Sequence, residues 1–158
     1  MGGHCIAVDP WFIVNSAPSQ TKLIRQARTV NDSKPFWVID KVKSTIADIL
    51  FENPSMDPTQ IKIVFFGLAF KPDIDDLRES PSLKIVRDIS KQHLGKVVAV
   101  EPNIESLDRE DFELQDFHKA CDGASIGVLL VDHKEFREMS PPEIPKIIDT
   151  KGIWSRKN

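Results

Sequence analysis

From Ile61 onward the chain alternates short apolar runs, "IKIVFFG", "KVVAVEP", "SIGVLLVDH" and "KIIDT", with stretches that repeat at helical spacing. An apolar run without polar alternation is a strand buried on both faces. Strands of that kind separated by helices build a parallel sheet covered on both sides. The expected fold is therefore α/β, a Rossmann-like parallel sheet flanked by helices over residues 59–158. Helices are predicted over residues 81–93, near Phe117 and after the third run; four strands stand out, with a fifth near Glu113.

A different period governs the part before the sheet. Leu23, Ala27, Val30, Val38, Val42, Ile46 and Ile49 recur at steps of three and four, widened by Ile24, Ile39 and Leu50. The pattern predicts a long helix over residues 20–52, broken or kinked at Pro35. Its apolar side packs either on the domain that follows or on a second subunit. "ENPSMDP" gathers turn residues into a linker. Three regions result: residues 1–18, a cysteine-carrying loop and the start of a central domain; 19–53, the long helix; and 59–158, the sheet domain.

Charge and cysteine usage remove several classes. With 21 basic against 24 acidic residues the net charge is -3, which argues against a nucleic-acid partner. Cys5 and Cys121 have neither zinc-ligand nor disulfide-framework spacing, so a reducing, cytoplasmic setting and no metal are expected. The longest apolar run, "IVFFGLAF", is far shorter than the roughly 20 residues that cross a bilayer. No membrane role is expected.

In an open parallel sheet, ligands settle outside the carboxyl ends of the strands, which directs attention to the loop after the first strand, "GLAFKPDIDDLRES". Ser80 and Pro81 form a helix start, so a positive helix end faces that loop. With Lys71 and Arg78 it makes a site for phosphate or carboxylate, unless both cations are solvated and paired with Asp73, Asp75, Asp76 and Glu79. Only Gly67 follows the strand, so the Gly-rich dinucleotide fingerprint is missing. Glu101, ending the second strand, either meets a ribose hydroxyl or is a solvated acid.

The opening "GGHCIAVDP" is a second candidate site. Gly2 and Gly3 allow close approach of a substrate, and if a helical turn begins at Cys5, Asp9 lies on the same face one turn later. A thiolate at Cys5 with a carboxylate placed to activate water suits thioester formation and hydrolysis. The alternative is a small buried apolar cysteine. Cys121 is expected to be structural.

"GGHCIAVDPWFIV", "ARTVNDSKPFWVIDKV", "FFGLAFKPDIDDLRESPS", "VVAVEPN", "LLVDHKEF" and "IIDTKGIW" together resemble, in this order, the second half of the nucleotide-sugar 6-dehydrogenases, the UDP-glucose/GDP-mannose dehydrogenase family. The histidine before the cysteine and the "VDPWFIV" and "PNIESL" segments are most similar to members acting on UDP-N-acetyl-D-mannosamine, with UDP-glucose and UDP-N-acetylglucosamine as alternatives. The resemblance implies oxidation of the sugar C6 alcohol to a carboxylate, with NAD as cofactor, through an aldehyde and a cysteine thioester. It implies Cys5 as nucleophile and Asp9 as its hydrolytic partner; Gly2, Gly3, His4, Lys71 and Lys151 as UDP-sugar contacts; and Arg78 as a contact to NAD. It further implies a homodimer through the long helix, and an NAD-binding domain ahead of the cysteine, so that Met1 marks a cut just upstream of the nucleophile. The chain alone is then expected to be inactive, and a non-catalytic nucleotide-binding or dimerisation module remains the reading from a different class.

Overall fold

The computed structural model describes residues 4–107 and 110–154, with backbone only for His4, Cys5, Ile6 and Ala7. The chain runs α1 (His4–Ser16), α2 (Lys22–Glu52), a 3₁₀ turn (Pro58–Gln60), β1 (Ile63–Phe66), α3 (Pro81–Ser90), β2 (Val97–Val100), β3 (Glu113–Leu114), α4 (Phe117–Cys121), β4 (Ile126–Leu129), α5 (Lys134–Glu138) and β5 (Lys146–Asp149). All strand pairs are parallel, in the order β3-β2-β1-β4-β5. The fifth strand near Glu113 is there as a short edge.

Each central strand divides its side chains between two cores. Ile63 and Phe65 of β1, with Ile126 and Val128 of β4, face α3 and the C-terminal half of α2. Val64 and Phe66, with Leu129, face Ala120, Phe136 and Trp154. Phe66 meets Phe136 and Trp154 edge-on at centroid distances of 5.7 and 5.2 Å. Fully burying one such ring contributes about 1.5–3 kcal/mol, which explains why the apolar runs are strands buried on both sides.

The helical front is more regular than its sequence suggests. Within residues 1–18, α1 occupies His4–Ser16 and packs on α2, with Val14 buried. The long helix is also uninterrupted, since α2 passes through Pro35. A proline inside a helix costs about 3 kcal/mol. Val38, Ile39, Val42 and Ile49, all buried beyond it, contribute about 1.5–3 kcal/mol each and outweigh that cost.

The apolar stripe on α2 divides in two. From Val38 onward it fills the sheet core, whereas Leu23, Val30, Phe36 and Trp37 are exposed. The C-terminal half thus packs on the domain that follows, and the N-terminal half leaves its apolar side chains exposed. Among the described residues no helix is long and apolar enough to cross a membrane.

Candidate functional site: a cleft at the strand ends

The strand order reverses between β1 and β4, and at such a point the connections leave in opposite directions and open a crevice. A cleft of about 820 Å³ lies there, within the roughly 300–1,000 Å³ of small-molecule sites. Its floor is formed by Leu130 and Val131 after β4 and by Thr150 and Lys151 after β5. Phe70 and Lys71 come from the loop after β1, Ser80 to Ile85 from the start of α3, and Arg28, Lys34, Trp37 and Val38 from α2.

Local chemistry sets each wall. Gly67 turns the chain out of β1 at φ +87°, and a Cβ there would lie 2.5 Å from the Val131 side chain, so only glycine fits. Ser80 Oγ accepts from Leu83 N–H at 3.2 Å and donates to the Leu68 carbonyl at 2.6 Å, capping α3 while tying it to the loop's start. After β5 the Asp149 carboxylate accepts from the N–H groups of Lys151, Gly152 and Trp154 at 2.9, 2.6 and 2.8 Å. That turn presents Lys151, whose Nζ lies 3.7 Å from Asp132.

The two lysines expected at the substrate share this cleft. Lys71 is exposed and has no ion-pair partner among the described residues. Arg78 is elsewhere, which corrects the expected Lys71–Arg78 cluster. It is 79% exposed, outside the cleft lining, and forks onto Asp76 through Nε and Nη2 at 3.0 and 2.8 Å. That hydrogen bond raises its already high pKa further.

Glu101 is neither a solvated acid nor open to a ribose. Its side chain is fully buried and its Oε2 accepts from the Leu68 and Ala69 N–H groups at 2.6 and 2.9 Å, while Oε1 accepts from Asn103 N–H at 3.1 Å. His133, also fully buried, reaches the same carboxylate through Nε2 at 3.1 Å. Burial pushes the Glu101 carboxyl up, but the hydrogen bonds from His133, Leu68 and Asn103 outweigh it and hold the group below the ordinary value of 4.5. Sequence reasoning missed this couple. The available signal was an acid at the end of one strand run and a histidine just past the end of another, "VEP" and "VDH".

The same couple bears on NAD. In dinucleotide-binding domains the backbone N–H groups after the first strand cradle a pyrophosphate. Here the corresponding N–H groups, those of Leu68 and Ala69, are already taken by the chain's own carboxylate. The described residues therefore do not fit an NAD cradle.

No described side chain of α1 lines the cleft. Gly2 and Gly3 are outside the described residues, and so are the side chains of His4 and Cys5. The backbone places Cys5 at the second residue of α1 and Asp9 one turn later, as its spacing anticipates. Asp9 is exposed and does not line the cleft. Cys121 is half-buried, and burial pushes its thiol up to about 11, which suits packing and not nucleophilic chemistry.

A model of the UDP-binding domain of the UDP-glucose/GDP-mannose dehydrogenase family matches residues 64–156. A UDP-N-acetyl-D-mannosamine dehydrogenase of Yersinia pestis is 49% identical over 98% of this chain and 38% of its own length. An NDP-N-acetyl-D-galactosaminuronic acid dehydrogenase of Ralstonia solanacearum is also 49% identical, over 99% of this chain and 36% of its own. The structure of a UDP-N-acetyl-mannosamine dehydrogenase from S. aureus superposes with a TM-score of 0.74 at 35% identity, covering 97% of this chain and 35% of that one. The chain thus spans little more than a third of the relatives it matches, over their UDP-binding region.

Proposed function

The chain belongs to the UDP-glucose/GDP-mannose dehydrogenase family, and from that premise we propose that its cleft holds the uridine diphosphate part of a nucleotide sugar. The observation that carries the proposal is the convergence of Lys71, Lys151 and the α3 N-terminus on one crevice at the strand-order reversal. Two cations and a helix start suit a diphosphate, and the apolar wall of Leu130 and Val131 suits a base. Calorimetric titration with UDP, comparing the wild type with Lys71→Ala, tests it. Binding by the wild type and weaker binding by the variant is the expected result; no binding by either defeats the proposal.

As part of a whole dehydrogenase, the chain contributes to NAD-dependent oxidation of the sugar C6 alcohol to a carboxylate in the cytoplasm. Cys5 forms the thioester and Asp9 assists its hydrolysis, with Gly2, Gly3 and His4 lining the sugar and Arg78 reaching NAD held by another part of the enzyme. UDP-N-acetyl-D-mannosamine is the sugar nucleotide we favour, with UDP-glucose and UDP-N-acetylglucosamine as alternatives. A substrate panel on the full-length enzyme, with Cys5→Ala as control, discriminates among them. By itself the chain is proposed to be inactive, as it supplies no NAD cradle among its described residues.

We also propose that the exposed side of α1 and of the N-terminal half of α2, with Phe12, Leu23 and Val30, meets a second copy of the chain in a homodimer. Sedimentation across a concentration series tests this; a monomer at every concentration rules it out.

A further inference from the structure

The loop that carries Lys71 is fastened on either side of that lysine by groups that the binding function itself does not use. At its start, the N–H groups of Leu68 and Ala69 donate to Glu101. In its middle, Asp73 stands at φ +62°, a left-handed conformation that aspartate adopts more readily than most non-glycine residues. The Asp73 N–H donates to His133 Nδ1 at 3.0 Å, and the Asp73 carboxylate accepts from Lys134 N–H at 2.7 Å and Arg137 at 2.8 Å. Lys71 lies between the two anchors.

These partners dictate the protonation of His133. Nδ1 faces two donors, the Asp73 N–H and Asn103 Nδ2, each at 3.0 Å, so it must be the acceptor. The proton then sits on Nε2, pointing at Glu101. A charged ring would place a third donor among the two already at Nδ1. Asp73, His133 and Glu135 also bring ligand-type atoms within 4.8 Å of one another. The single Nδ1 lone pair is already engaged by two donors, so His133 has none to offer a metal.

We propose that Glu101 and His133 are positioning residues, a buried latch that holds the Lys71 loop in its binding conformation only while His133 is the neutral Nε2–H tautomer. Glu101 from the end of β2, Asp73 from the loop and Glu135 from α5 face the ring, with Arg137 and Asp132 paired to each other beyond them. The Asp73 Oδ1, 4.0 Å from Nδ1, takes the new proton only if the Asp73 N–H turns away. Protonation therefore releases the loop, and by reciprocity a ligand that holds Lys71 in place expels the proton.

The part of this proposal that concerns UDP rests on the reading of the cleft given above; the part that concerns the loop does not. Amide exchange in the ligand-free chain tests the latch. In His133→Phe the amides of Leu68, Ala69 and Asp73 should exchange at least about tenfold faster, the effect of losing a bond of ordinary strength. The amides of Phe65 and Val98 should keep wild-type protection. Wild-type exchange at all three loop amides overturns the latch. Should the variant not fold, the ¹⁵N shifts of the wild-type ring decide: a pyridine-type Nδ1 and a pyrrole-type Nε2 are expected, and the opposite tautomer overturns it. With UDP, wild-type affinity should fall as the ring is protonated, while His133→Gln binds more weakly but without that pH dependence. The same pH dependence in both proteins overturns the switch. If loop amides respond as expected while UDP fails to bind, the latch stands and the UDP reading alone is lost.

Discussion

The sheet domain and the helical front of this molecule are similar in apolar content and opposite in how that content is used. From Val38 to Trp154 most large apolar side chains, Phe51 and Leu94 excepted, close on two cores against one sheet. In α1 and the first half of α2, Val8, Phe12, Ile13, Leu23, Val30, Phe36 and Trp37 remain open to solvent. The same periodicity thus produces a completed core in one region and an uncovered face in the other. The difference lies in whether the chain itself supplies the opposing layer.

The largest effect expected is on the completed side. Phe65→Ala, at a fully buried ring, should cost about 3–5 kcal/mol in denaturant unfolding. A loss below about 1 kcal/mol would mean the two regions do not differ as described. Next is the rim of the sheet: Lys71→Ala should weaken UDP binding by about 1.5–3 kcal/mol, measured by calorimetry. Arg78→Ala, at a side chain forked outward onto Asp76, should leave UDP affinity nearly unchanged. Equal losses in the two variants would return Arg78 to the phosphate site.

A third test separates the regions by pH. The folded Glu101 carboxyl lies below its ordinary value of 4.5, so its stabilisation is fully present above that pH and is lost as pH falls through the lower folded value. Thermal unfolding from neutral pH downward should show this slope in the wild type and a shallower one in Glu101→Gln. The smallest effect belongs to the open side, where Phe12→Ala at a 67% exposed ring should change dilute-solution stability by no more than about 0.5 kcal/mol. A larger loss that grows with protein concentration would show that a second copy covers this face.

Much of the fold was legible because its signals are local. The four main strands fall inside the apolar runs, Ser80 and Pro81 begin α3, and Gly67 makes the turn that the missing fingerprint left to a single glycine. The differences share a cause. Pro35 by its own preference predicts a break, whereas the helix is held by burial of residues beyond it. Arg78 and Lys71 are near in sequence, yet the loop between them turns one inward and the other out. Glu101 and His133 were not paired because 32 residues separate them.

By itself, then, the sequence determined which segments are strands and helices, where α3 is capped and which residue types face the cores, since each depends on neighbours a few positions away. Tertiary structure decided which strand ends stand side by side. The order β2-β1-β4 brings Glu101 and His133 together behind the loop, and the reversal between β1 and β4 sets Lys71 and Lys151 along one cleft. Strand order is settled by how crossover helices pack over the whole sheet, a choice that no local period encodes.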